Sequence, residues 1–130
     1  PPPAPAPRPP ERQAEKPPEQ PKPPEPPPNT LPCNAETRSG GQGVTLNNHF
    51  LGDKPGPVEV TYDTKTQPDH IRVYYRGQLL AETRGPVSGR GSIRFDWRPT
   101  PGGPHAYVVE VQVIGPGQGT QWSYMVGCPQ

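Results

Sequence analysis

No stretch of this chain approaches the ~18 consecutive apolar residues of a helical membrane span, so no segment reads as one. Charge of a single sign is also missing. The formal net charge is +1, too small to hold a nucleic acid through its phosphates, and nucleic acid is not an expected partner. No ten-residue window has helical periodicity free of glycine and proline, which excludes a helix bundle. Apolar residues make up only 28% of the 130 positions, so any core is thin and needs help to stay folded.

What is abundant is proline, with 25 residues, and glycine, with 15. Sixteen of the prolines fall within Pro1–Pro32, and the chain divides there. In the first 32 residues Leu31 is the only large apolar side chain. Proline fixes φ and removes the amide donor, so neither a helix nor a sheet ladder can form across such a tract. The expectation is a disordered or polyproline II spacer, reaching on the order of 100 Å if fully extended. Its charges cancel: Arg8, Arg12, Lys16 and Lys22 against Glu11, Glu15, Glu19 and Glu25. Pro-x-x-Pro spacings at Pro7–Pro10 and Pro18–Pro21 also fit a proline-motif ligand, but at this proline density they arise by chance. The first residue is Pro1 rather than Met, so the chain is read as part of a longer protein or larger assembly, with any signal peptide or anchor outside it.

In the domain expected over residues 33–130, apolar and polar residues alternate from Gly43 onward, the period of half-buried strands. Val58, Val60 and Tyr62 share a face, as do Ile71, Val73 and Tyr75; Ile93, Phe95 and Trp97; and Trp122, Tyr124 and Val126. Tyr107–Ile114 is rich in β-branched residues and reads as a central strand covered on both sides. Gly- and Pro-containing breakers separate these runs, and Arg76–Gly77 suggests a tight hairpin. Strands are expected near 43–47, 57–63, 70–76, 78–83, 92–98, 106–114 and 120–127. The predicted fold is all-β: an antiparallel sandwich of two sheets and about seven strands, Ig-like or jelly-roll-like, with a small closed barrel as the alternative. Cys33 and Cys128 frame this domain, and Cys128 is in phase with the inward residues of the last strand. A disulfide between them is expected, and with it an oxidising compartment: periplasm, cell surface or the secreted space.

A search for chemistry finds little. His49, His70 and His105 fall in expected loops or strand ends, no Gly-x-Ser-x-Gly elbow exists, and no His/Cys spacing suits zinc. Gly85–Gly91 precedes a strand, whereas a phosphate cradle opens a helix. Asp63 and Asp69 flank one connection and, with Asp53, Glu59 or carbonyl oxygens, form a candidate calcium site; the plainer reading is turn capping. Arg72, Tyr74 and Arg76 alternate outward on one expected strand, and Arg94 and Arg98 on another. If those strands are neighbours, a guanidinium-and-phenol face for a glycan or protein partner results.

Together Val60–Asp63, Pro68–Gly77, Val87–Gly91 and Gly119–Pro129 resemble motifs of small β-sandwich modules found in large secreted or surface proteins of bacteria, and in some phage proteins. The resemblance covers about Cys33–Gln130. It implies a sandwich fold, and calcium near the first two motifs, at Asp63 and Asp69. The function expected is a non-catalytic binding or structural module on a proline-rich spacer, engaging a surface, glycan or partner protein, with edge strands available for pairing if the role is assembly. The alternative is a targeting appendage of an upstream secreted enzyme or toxin.

Overall fold

The computed structural model describes residues 2–5, 23–40, 43–115, 117 and 120–130. Both Pro-x-x-Pro spacings lie outside these residues. Among those described there is no helix. Nine strands run in the order β1 (Leu31–Pro32), β2 (Glu36–Gly40), β3 (Gly43–Phe50), β4 (Gly56–Asp63), β5 (His70–Tyr75), β6 (Gln78–Glu82), β7 (Arg90–Trp97), β8 (Val108–Gly115) and β9 (Gln121–Val126). They make two packed sheets, five-stranded β1-β3-β8-β5-β6 and four-stranded β2-β9-β4-β7. Every pairing is antiparallel except that of β1 with β3.

The sandwich is therefore present with two more strands than the alternation predicts. β1 is only two residues long and closes a proline tract. β2 reads Glu-Thr-Arg-Ser-Gly and has no apolar residue to alternate. Because β1 pairs Leu31 with His49 and Pro32 with Phe50, the last two residues of the expected spacer belong to the sheet.

The inner faces follow the predicted phase. Val58, Val60, Phe95, Trp97, Trp122, Tyr124 and Val126 of the four-stranded sheet pack against Ile71, Val73, Val109, Val111 and Val113 of the other. Trp97 satisfies its indole N–H at the Gly52 carbonyl, 2.9 Å away, and meets Tyr75 edge-on. β8 is central, as expected, but only its inner face is fully buried; Glu110, Gln112 and Ile114 on the outer face are half-buried. Arg76 and Gly77 both have positive φ, 48° and 80°, the signature of a two-residue type I′ hairpin whose twist suits the flanking strands.

Cys33 and Cys128 form a disulfide that spans 95 residues of sequence. In the chain-entropy account, closing a loop that long stabilises by about 4–5 kcal/mol. Asn34, at φ 59°, clasps the same place. Its amide donates to the Val126 carbonyl at 2.7 Å, and its Oδ1 accepts from the Cys128 amide at 3.0 Å.

Candidate functional site

Register decides which outward residues meet. On the outer face of the five-stranded sheet Asn48 of β3 lies opposite Glu110 of β8, which lies opposite Tyr74 of β5. The next row is Leu46, Gln112, Arg72 and Glu82. Side chains in such rows stand about 5 Å apart, so three remote segments contribute to one surface.

The Gly102–His105 segment rises beside these rows and encloses a groove of about 690 Å³, floored by Asn48, Tyr74, Glu110 and Gln112. Its wall is pinned to the β5–β6 hairpin. Arg76 Nη2 donates to the Thr100 carbonyl at 2.9 Å and also to the Gly102 carbonyl. The Tyr75 hydroxyl donates to the Ala106 carbonyl at 2.6 Å and accepts from the Thr100 amide at 3.1 Å. The two glycines of the wall have φ 119° and 83°, a backbone that side-chain-bearing residues rarely adopt. On the floor, the Gln112 Oε1 is buried and has no hydrogen-bond partner. A buried acceptor left unmade costs free energy, so this oxygen marks a place where a donor from elsewhere is favoured.

Arg72, Tyr74 and Arg76 thus share one strand end, but in different roles. Tyr74 faces the groove, while Arg76 is occupied in holding the wall. Arg72 lies 3.1 Å from Glu82, which also approaches His70 at 3.3 Å. Arg94 and Arg98 are elsewhere. Arg94 stands on β7 in the other sheet, beside Glu59 at 3.3 Å, and Arg98 just past its end, beside Asp96 at 3.6 Å. β5 and β7 are not neighbours, so the single guanidinium-and-phenol face expected from sequence does not assemble. The cause is pairing order, which the period of a strand does not encode.

Asp63 and Asp69 are likewise in separate surroundings. The Asp63 carboxylate accepts from the Lys65 amide at 2.9 Å and faces Arg90 at 3.3 Å; these contacts, the amide first, hold its pKa below the ordinary value. Asp69 is fully buried. Its Oδ1 accepts from the Thr120 hydroxyl at 2.5 Å, while its Oδ2 has no partner. Burial raises its pKa, partly offset by Thr120. Among the described residues no three His, Cys, Asp or Glu side chains cluster as a metal site would require. Calcium needs 6–8 oxygens around one point, and one of these two carboxylates is already matched to a guanidinium.

A second groove, of about 830 Å³, crosses β2, β9 and β4. Its charges are mostly matched within it, Glu36 to Arg38 at 3.0 Å and Asp63 to Arg90, which leaves less to offer a ligand.

His49 is the residue sequence reasoning misplaced. It lies inside β3, fully buried, with Nε2 2.7 Å from the Tyr124 hydroxyl and the two rings edge to face. Burial pushes the imidazole down to about 4 and the phenol up to about 12. No local signal marked it: alternation with Val44 and Leu46 as core residues turns His49 outward, and the structure has the opposite phase. No family model, curated protein or solved structure matches this chain.

Proposed function

We propose that this chain is a non-catalytic binding module of an exported protein, carried on its proline-rich segment as a spacer, and that the groove on the five-stranded sheet takes a glycan. The observation that carries the reading is the Asn48–Glu110–Tyr74 row with Gln112 beside it. Planar amides and a carboxylate supply paired acceptors and donors for vicinal hydroxyls, and a phenol ring offers an apolar surface to a pyranose face. Binding grooves combine a few convergent polar groups with apolar walls in this way. The rigid hairpin and pinned wall lower the ordering cost of binding. The disulfide supports residence in an oxidising compartment. The separation of His49, inside the sandwich, from His70 beside Glu82 supports a binding role over a catalytic one.

The test is a printed array of neutral and acidic oligosaccharides probed with the full chain, followed by calorimetry on the strongest hit. Tyr74→Ala and Glu110→Gln should each weaken that binding by at least about tenfold, the scale of a lost interface anchor, with thermal midpoints little changed. Absence of any sugar binding, or binding indifferent to both substitutions, overturns the glycan reading.

A further inference from the structure

β3 is built inside out. Its polar residues Thr45, Asn47 and His49 face the core side, while Val44 and Leu46 face outward at 58% and 54% exposure. Ordinary half-buried strands do the opposite. Outward apolar residues at this density call for a covering partner, and Ile114, directly opposite Val44 on β8, extends the apolar strip.

The same strand lies at a sheet edge. β1 flanks it only at His49 and Phe50, so among the described residues no strand borders Gly43–Asn48 on that side. The hydrogen-bonding phase can be read from its end. Leu51 N–H donates to the Tyr107 carbonyl at 2.8 Å, continuing the register in which Phe50 faces Val108. Antiparallel ladders alternate, so Gly43, Thr45, Asn47 and His49 bond to β8. The amides and carbonyls of Val44, Leu46 and Asn48 point away from it, into the open edge.

Protein edges are normally blunted by charge, proline or bulges, and the other edges here are. β2 carries Glu36 and Arg38, β7 carries Arg90, Arg94 and Asp96, and β6 carries Glu82 and lies against the register shift at Val73/Tyr74. Gly43–Asn48 has no charged residue.

We propose that this edge pairs antiparallel with the same edge of a second copy, joining two five-stranded sheets into one continuous sheet across a two-fold axis at Thr45. Self-pairing requires that the segment match its own reverse, and this one does. Val44 then faces Leu46 of the other copy, and Leu46 faces Val44, so the outward amides and carbonyls are satisfied reciprocally. The four exposed aliphatic side chains form one apolar cluster. No like charges are opposed, the condition that a charged edge fails. Pairing over Gly43–Asn47 stops short of His49, where β1 begins, and leaves Tyr74 and Glu110 open to a ligand.

Sedimentation equilibrium of the oxidised full chain from micromolar to millimolar concentration is the test, together with amide exchange. The expected result is a monomer–dimer equilibrium in which the Val44 and Leu46 amides gain protection as concentration rises. The double variant Val44→Lys/Leu46→Lys should remain monomeric with an unchanged far-ultraviolet circular dichroism spectrum, since both side chains are exposed in the single copy. A monomer at every concentration, a dimer that survives the double substitution, or Val44 and Leu46 amides whose exchange ignores concentration would each overturn the proposal.

Discussion

The two sheets share one core but differ in what each brings to it and, more sharply, in what each shows outside. Inside, the four-stranded sheet presents valines and aromatic rings, and β5 and β8 present isoleucine and valine, while β3 turns Thr45, Asn47 and His49 inward. Outside, the four-stranded sheet is dressed in ion pairs, Glu36–Arg38, Glu59–Arg94, Asp63–Arg90 and Asp96–Arg98. The five-stranded sheet carries the Arg72–Glu82 pair and otherwise displays Val44, Leu46, a phenol, the Glu110 carboxylate and two amides, one of them with an orphaned oxygen. Exposed ion pairs add little stability, but they leave a face that needs nothing further from its surroundings. The five-stranded face keeps exposed apolar side chains and an unmatched buried acceptor.

Breaking the shared inner face gives the largest effect. Trp97→Ala removes a fully buried indole, its bond to Gly52 and its contact with Tyr75, and should cost about 3–5 kcal/mol, read as a fall in the urea midpoint. Acid probes the side of the core that β3 contributes. His49 titrates near 6.5 when unfolded and at about 4 when folded, so the unfolded chain takes up its proton first. Stability from this group is intact above pH 6.5, falls as pH drops towards 4, and is then lost by at most about 3 kcal/mol. A His49→Gln variant should lack that segment of the pH–stability curve, and superimposable curves would refute the assignment. The smallest effect belongs to the four-stranded exterior. Arg94→Ala and Arg98→Ala should each change stability by under about 1 kcal/mol and leave oligosaccharide binding untouched. Loss of binding in either would place the sugar site on the four-stranded face.

How far the sequence reached can be followed along individual strands. Val58/Val60, Ile71/Val73, Phe95/Trp97 and Trp122/Tyr124/Val126 declared their buried face through a period of two, because a core side chain must be apolar wherever its strand lies. Cys33 and Cys128 were legible for a similar reason: they frame the alternating region. β2 was illegible because all five of its residues are polar or glycine, and its place is set by pairing with β9. β3 was legible as a strand but misleading in orientation, since its apolar residues point away from the core. The groove was half legible. Tyr74 and Arg76 stood out on one strand, whereas Asn48, Glu110 and Gln112 join them only through the β3–β8–β5 register. That register is a long-range property carried by no local pattern.

The disulfide has a mechanical consequence besides its entropic one. Cys33 and Cys128 have Cα atoms 5.0 Å apart, so the chain enters and leaves the sandwich at nearly one point. Tension applied between the proline-rich segment and the residues after Cys128 would run through the covalent bridge, bypassing the 94 residues between. Among the described residues, β1, two residues long and upstream of the bridge, and the Gln130 amide bonded to the Pro57 carbonyl downstream of it lie in the path of the load. The module would hang from such a line as a pendant loop, still folded under a pull that would unravel an unbridged sandwich.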